Sequence, residues 1–309
     1  MILSAGLTPA WQQILVFDGF RYGEVNRAAE VHWCASGKVF NAGIAAHHLG
    51  GPSLTLAPAG GPALEQIKNE LHVLGLPNRL VATRHATRTC ATLLDRPTGT
   101  ITELVEDGRS LAPDELDEFR VAYAEAASRA AVVVLIGSLP AATDASLYRE
   151  LVDRTPCPVL LDFRGEGLRS VLERRPLVVK PNREELAATV GRPLETDDDL
   201  LRAMQSLIDG GAKWVLVTDG SRPCWLVGTS AIYRFHPLPV EKPVNPIGCG
   251  DAMAAAIAWA VRDGRSMVDA VKLAVAAAAE NLGHLLPCRL DPTRVATLAK
   301  AVQVDRLPV

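Results

Sequence analysis

The sequence predicts an α/β fold: a doubly wound, mostly parallel sheet with helices on both faces, plus a small β-sheet standing apart as a lid. Three observations carry that expectation. Ala131–Ile136 is an uninterrupted apolar run closed by Gly137, the pattern of a strand buried on both faces. From Asn41 onward, short apolar runs alternate with stretches of helical period. Before that rhythm starts, Ile14–Phe20 and Asn26–Cys34 follow one another with only Arg-Tyr-Gly-Glu-Val between them, which fits no βαβ unit.

In chain order, Ile2–Leu7 reads as a first buried strand ending in Thr-Pro, and the two lid strands follow. Asn41–Leu49 is a helix, Leu54–Ala57 a strand and Ala63–Leu74 an amphipathic helix. Thr89–Leu94 and Thr100–Val105, joined by Asp-Arg-Pro-Thr-Gly, form a second hairpin of the lid. Pro113–Ser128 is a helix whose acidic first turn matches the helix dipole. Beyond Ala131–Ile136 come a helix at Leu147–Asp153, a strand at Val159–Asp162, a helix at Leu168–Arg174 and a strand at Leu177–Val179. Helices at Glu184–Val190 and Asp197–Asp209 lead to a strand at Trp214–Thr218 and a hairpin of Cys224–Val227 with Ala231–Arg234. A Pro-rich connector, Phe235–Pro246, precedes two Ala-rich helices, Asp251–Arg262 and Met267–Leu282. The whole reads as one domain over 1–309, its lid discontinuous at about 12–35 and 87–106. Ligands are expected at the carboxyl ends of the strands.

Composition narrows the function. The 309 residues are 48% hydrophobic with a net charge of −3, so a large core forms and nothing attracts nucleic acid or an anionic membrane. No apolar run reaches membrane length, and MILSAGLTPAW lacks the basic and long apolar regions of a signal peptide, so a cytoplasmic location is expected. The six cysteines are scattered with no C-x-x-C pair, which indicates neither a zinc site nor a disulfide framework.

The densest chemical signal is Val244–Arg262. Pro246 keeps Asn245 out of the α region, and Gly248 and Gly250 permit a tight turn whose N–H groups converge at a helix N-terminus, an anion site. Asp251 in such a site is suited to take a proton from a hydroxyl attacking a phosphate, and equally suited to be an N-cap. Asn182 and Glu185, three apart at a helix start, share one face and also fit a capping box. There is neither G-x-x-x-x-G-K-[ST] nor a strand-linked G-x-G-x-x-G, so the chain is not a P-loop enzyme and a nicotinamide oxidoreductase is disfavoured. Arg27, Lys38 and Arg88 fall at lid and loop positions where cations would hold a phosphorylated acceptor, although lone surface cations usually do nothing specific.

Asn245-Pro246-Ile247-Gly248-Cys249-Gly250-Asp251 resembles the C-terminal signature of the ribokinase-like (PfkB) carbohydrate kinases. Ser36–Gly43 is similar to that family's N-terminal glycine signature, and Lys180–Leu186 to its central K-P-N-x-x-E-L segment. Gly23–Arg27 and the central segment most resemble the 1-phosphofructokinase and tagatose-6-phosphate kinase branch. The resemblance implies ATP and Mg²⁺ as cofactors, with room for a monovalent cation, and a sugar or sugar phosphate as the small-molecule partner. It implies Asp251 as general base, with Gly248, Cys249 and Gly250 supplying an anion hole. Asn182 and Glu185 would organise Mg²⁺ through water; Asn182, Thr218, Gly220 and Asn281 would serve the nucleotide. Gln12, Arg27, Gly37, Lys38, Asn41, Arg88 and Ser138 would line the acceptor pocket, with pairing of lids into a homodimer.

Three departures bear on the acceptor. The branch's N-P-A-x-D ends here in Gln12, which hydrogen-bonds hydroxyls without a charge. Val39 replaces a glycine, which suggests a reshaped loop, since β-branched residues resist φ > 0. Pro223 stands where the nucleotide-side loop commonly has its second glycine. The expected activity is ATP-dependent phosphorylation of a sugar hydroxyl, foremost that of a phosphorylated ketohexose such as fructose 1-phosphate, fructose 6-phosphate or tagatose 6-phosphate. The rivals are a kinase of an unphosphorylated sugar or nucleoside, and a non-catalytic sugar- or nucleotide-binding regulator.

Overall fold

A computed structural model describes residues 1–308. The chain runs β1 (Ile2–Ala5), β2 (Ala10–Phe17), β3 (Glu30–Ser36), α1 (Gly37–His48), β4 (Ser53–Gly60), α2 (Ala63–Val73), β5 (Asn78–Thr83), β6 (Arg88–Asp95) and β7 (Thr100–Val105). There follow α3 (Pro113–Ala127), β8 (Val132–Ile136), α4 (Ser146–Asp153), β9 (Val159–Asp162), α5 (Glu166–Arg169), β10 (Val178–Val179), α6 (Arg183–Val190) and α7 (Asp197–Asp209). The last third holds β11 (Trp214–Val217), β12 (Cys224–Gly228), β13 (Ala231–Phe235), α8 (Cys249–Arg262), α9 (Met267–Leu282), α10 (Pro292–Ala299) and β14 (Val304–Leu307).

Ten strands form the main sheet in the order β14-β13-β12-β11-β10-β9-β8-β1-β4-β5. From β5 to β11 every neighbour is parallel, and β12, β13 and β14 add an antiparallel edge. One apolar core under α1, α8 and α9 covers one face, and a second under α3, α4 and α7 covers the other. That is the expected doubly wound architecture. Nearly every residue of α8 from Asp251 to Ala260 is buried, so its alanines let the helix approach α9 and the sheet closely.

The small sheet has the order β3-β2-β6-β7, with β2 and β6 parallel across a long sequence gap. A short apolar contact of Ile14, Val16, Cys34 and Leu94 with Leu285 and Leu286 ties it to the main body. Its outward face carries Trp11 stacked on Trp33 at 5.9 Å, with Val31, Trp33 and Leu104 about half exposed.

Several element boundaries differ from the expectation. The strand expected at Ile14–Phe20 begins at Ala10, which brings Gln12 inside it. The strand expected at Asn26–Cys34 begins only at Glu30, because the Asn26 side chain closes the preceding loop on itself. It accepts from the Arg21 N–H at 2.8 Å and donates to the Arg21 and Glu24 carbonyls. The first helix starts at Gly37 rather than Asn41, so Val39 is a buried helical residue and not a loop residue with φ > 0. The expected Leu168–Arg174 helix is split into α5 and a 3₁₀ turn at Leu172–Arg174, ended by Arg175 at φ +54°. Strand β5, helix α10 and strand β14 had no sequence-level expectation. No helix among the described residues is long and apolar enough to cross a membrane.

Helix α1 lies so close to β4 that a Cβ on Gly43 would stand 2.0 Å from Thr55 Oγ1. Gly43→Ala is therefore expected to destabilise the protein by about 1–3 kcal/mol in denaturant unfolding, through overpacking under α1.

Candidate active site

A cleft of about 1410 Å³ opens between the carboxyl ends of the main sheet and the inner face of the small sheet. The fold delivers charged residues to its floor by short routes. Asp162 is the last residue of β9, and Lys180 follows β10 directly. Asn182 bridges to Thr218 just past β10 and β11. Lys38 and Asn41 stand in the first turns of α1, and Asp251 in the first turn of α8.

These groups form one electrostatic network. Lys38 Nζ donates to Asp162 Oδ1 at 2.7 Å and to Glu185 Oε1 at 2.9 Å. Lys180 Nζ forms an ion pair with Asp162 Oδ2 at 2.6 Å. Asp162 and Lys180 are both almost fully buried. Burial alone would raise the Asp162 carboxyl, but Lys180 and Lys38 outweigh it and hold it below the usual carboxylate range. Burial likewise opposes the charge on Lys38, yet Asp162, Glu185 and Asp251 together raise its pKa well above that of an ordinary lysine.

Asp251 is balanced differently. It is 6% exposed and, among the described residues, has no cation in direct contact; its Oδ2 accepts from Asn41 Nδ2 at 2.8 Å. The Asn41 amide is oriented in turn by Ser36, whose hydroxyl donates to Asn41 Oδ1 at 3.1 Å. Burial, followed by repulsion from Asp162, pushes the Asp251 carboxyl up to about 6, against the opposing pull of Lys38, Asn41 and Lys180. A carboxylate that exchanges its proton near neutrality, at the mouth of an anion site, has the properties of a general base.

The turn before α8 is built as the glycines suggest. Gly248 adopts φ +84° as the cap of α8, and a Cβ there would press on Cys288 Sγ and Pro287 Cβ, each at 3.0 Å. The first intrahelical bond runs from Ala252 N–H to the Gly248 carbonyl, which leaves the Gly250 and Asp251 amides without an intrahelical acceptor. The Cys249 amide is not available in the same way, since it donates to the Pro246 carbonyl at 3.2 Å. Burial pushes the Cys249 thiol up to about 11, which keeps it protonated. Lys180 Nζ lies 3.4 Å from where a Cβ on Gly250 would stand, so a cation flanks the free amides.

The capping box expected of Asn182 and Glu185 is present: Glu185 N–H donates to Asn182 Oδ1 at 2.7 Å, and Asn182 N–H to Glu185 Oε2 at 3.0 Å. The same Glu185 also holds Lys38 through its other oxygen, so the cap and the cleft share one side chain. Thr218 and Gly220 line the cleft, and Pro223 merely ends the turn that leads into β12. Gly37 lines it too, at φ +78°, where a Cβ would meet Ala10 N at 2.9 Å.

Three expected site residues, Asn281, Arg27 and Ser138, stand outside the cleft lining, and two, Arg88 and Lys38, line it with their charges engaged by protein groups. Asn281 has no exposed surface and lies behind the glycine turn, donating to the Ile247 carbonyl and accepting from Cys288 N–H; it braces the turn rather than touching a nucleotide. Arg27 sits in the exposed Asn26-closed loop, away from the cleft. Arg88 lines the cleft, but its guanidinium donates to the carbonyls of Pro9, Glu106 and Thr8. Lys38 lines the cleft as well, with its ammonium held in the carboxylate network. Ser138 is exposed beside Thr8, outside the cleft lining. Two central residues, Asp162 and Lys180, received no role from the sequence; the available signal was a charged residue directly ending or following a buried apolar strand.

Comparison with known proteins identifies the family of the fold. The pfkB family carbohydrate kinase pattern matches residues 2–294. An ATP-dependent 6-phosphofructokinase isozyme 2 from Mycobacterium tuberculosis is 32% identical over 285 residues, covering 91% of this chain and 84% of that protein. Phosphofructokinase-2 from Escherichia coli in complex with substrates and products superposes with a TM-score of 0.87 at 26% identity, over 96% of this chain and 98% of that one. The same enzyme in complex with potassium gives 0.88 at 25% identity, over 97% and 99%. Arabidopsis thaliana ribokinase with ribose and ATP, at 21% identity and a TM-score of 0.75 over 97% and 98%, shares the fold. The chain belongs to the pfkB family of carbohydrate kinases, phosphotransferases that act on a sugar hydroxyl.

Proposed function

We propose that the protein transfers the γ-phosphoryl group of ATP to a hydroxyl of a phosphorylated ketohexose, with Asp251 as the general base. The observation that carries the reading is the buried, Asn41-held Asp251 beside two unpartnered amides and Lys180. Asp251, about half ionised near pH 6, accepts the proton of the attacking hydroxyl. The Gly250 and Asp251 amides and Lys180 stabilise charge on the transferring group, with Gly248 fixing their direction. Thr218 and Gly220 line the nucleotide side. The acceptor class is drawn from the relatives, whose names specify phosphofructokinases.

Mg²⁺ fits this cleft in one manner only. No group of three or more His, Cys, Asp or Glu side chains among the described residues converges to hold an ion. Asp162, Asn182 and Glu185 offer hard oxygen atoms, but each is already engaged by a lysine or an amide. They suit an ion held chiefly by the nucleotide phosphates and reached through its water shell. When bound, Mg²⁺ supplies charge neutralisation across those phosphates.

One observation favours a second reading, an unphosphorylated sugar or nucleoside acceptor. Lys38 and Arg88, the cations expected to hold an acceptor phosphate in the cleft, are engaged by protein groups, and Arg27 lies outside it. A coupled ADP-release assay separates the readings. With ATP and Mg²⁺, with and without potassium, fructose 6-phosphate, fructose 1-phosphate or tagatose 6-phosphate should be turned over in preference to free hexoses, ribose and nucleosides. Turnover of unphosphorylated acceptors alone would replace the first reading by the second.

We further propose a homodimer formed through the small sheet, whose outward apolar face with Val31, Trp33 and Leu104 needs a cover. Sedimentation should give about twice the 33.0 kDa chain mass, and Trp33→Glu should return the monomer with unchanged circular dichroism.

Asp251→Asn should lower kcat by about 10²–10⁴-fold. The wild-type kcat should fall on acidification with an apparent pKa near 6, and Asn41→Ala, by removing a bond that favours the charged form, should move that limb to higher pH. Stability should run the opposite way. Because the native state raises the carboxyl from 3.8 to about 6, the stabilisation this gives is complete below pH 4 and lost as pH rises through 6. Asp251→Asn mimics the protonated form, so at pH 7.5 it should unfold with a stability higher by on the order of 2 kcal/mol, an advantage that vanishes near pH 4.

A further inference from the structure

The inner face of the small sheet carries an arrangement that the transfer chemistry does not use. Gln12 is buried, and its Nε2 donates to Thr92 Oγ1 at 2.7 Å. Thr92 is fully buried and pairs directly with Glu103 across β6 and β7. Side chains of directly opposed residues leave the same face of a sheet, with Cβ atoms about 5 Å apart. Gln12 is opposed by Cys90, two residues before Thr92 on β6, so Gln12, Thr92 and Glu103 share one face of β2, β6 and β7 along a diagonal, and both Gln12 and Glu103 line the cleft. The bond to Thr92 occupies the nitrogen side of the Gln12 amide and leaves its carbonyl oxygen for the cleft.

Glu103 is the unmatched member of this face. Of the other carboxylates at this end of the cleft, Glu30 is paired with Arg96, and Asp95 accepts from the Phe20 N–H and the Thr98 hydroxyl. Arg88, the cation whose charge acts on Glu103, is turned toward three backbone carbonyls. Glu103 has no hydrogen-bond or ion-pair partner among the described residues, and its residue surface stays open to the cleft. Partial desolvation raises its carboxyl, against the pull of Arg88.

We propose that Glu103 is the specificity-determining carboxylate for the acceptor: with the Gln12 carbonyl it forms a row of acceptors that receives neighbouring hydroxyls of the sugar. The charge absent from Gln12 is thus provided from β7, two strands away on the same face. A row made only of acceptors selects a ligand that presents donors, hence a polyol face with adjacent hydroxyls. It disfavours an acceptor whose phosphate points toward β7, because like charges would meet there. The inference rests on the sugar-kinase reading and deepens it.

The test uses the full chain with ATP, Mg²⁺ and the acceptor panel named above. Glu103→Gln should raise the KM of the preferred acceptor by about 10- to 100-fold, the scale of a lost charge-assisted hydrogen bond, and leave the KM for ATP unchanged. Adding Gln12→Asp should bring the acceptor KM back to within a few-fold of wild type, a rescue that a purely structural role for Glu103 would not allow. An unchanged acceptor KM in Glu103→Gln, or a loss that Gln12→Asp does not reverse, overturns the assignment. Wild-type protein that turns over no member of the panel counts against the kinase reading instead. Glu103 is then judged by the acceptor-induced rise in melting temperature, which Glu103→Gln must reduce; absence of any such rise in the wild type overturns the assignment too.

Discussion

The structure of the cleft depends on how two buried carboxylates, Asp162 and Asp251, are kept in different states. Asp162 is clamped between Lys38 and Lys180 and stays ionised. Asp251 feels the repulsion of Asp162 and receives only a neutral amide in direct contact. A buried charge is tolerable when paired and costly when not, so the same acidic side chain becomes a fixed anion at one position and a proton acceptor at the other. Removing Asp162 would leave two lysines facing one base, and the base would lose its affinity for a proton.

The fold makes this separation cheap to build. In a doubly wound sheet the carboxyl ends of β9, β10 and β11 and the N-termini of α1, α6 and α8 meet at one edge. Each helix start brings unpaired amides, and each strand end brings a side chain whose stem is already buried. Glu185 illustrates the economy: one carboxylate oxygen closes the α6 cap while the other steadies Lys38. The structural and the chemical readings of that motif are two ends of the same residue.

Much of this was legible in sequence because it is local. The glycine turn at Gly248, the cap at Asn182 and the apolar strand at Val132–Ile136 each declare themselves within a few residues. What sequence could not show is partnership over distance. Lys38 lies 124 positions from Asp162, and nothing local distinguishes a lysine that will hold a phosphate from one that will hold a carboxylate. Asn281 was misplaced for the same reason, since its amide is turned inward by a carbonyl 34 residues away. The early start of β2 and the late start of β3 follow from pairing with β6 and from the Asn26-closed loop, which strand propensity does not see.

The two halves of the cleft differ in how freely their residues can change. On the floor, Lys38, Lys180, Asp162 and Glu185 balance one another's charge, so replacing one of them leaves a partner unmatched. On the small sheet, Gln12 projects from β2, Arg88 and Cys90 from β6 and Glu103 from β7, and no buried ion pair among the described residues links them. A carboxylate can move from one strand to another on that face without disturbing its neighbours, because cross-strand pairs contribute only fractions of a kcal/mol each, on the order of 0.2–1. On the proposed reading, this accounts for a floor that keeps the motifs resembling the family's while the acceptor face departs from the family pattern at Gln12. Transfer chemistry is constrained by coupled charges, and acceptor choice by side chains that act one at a time.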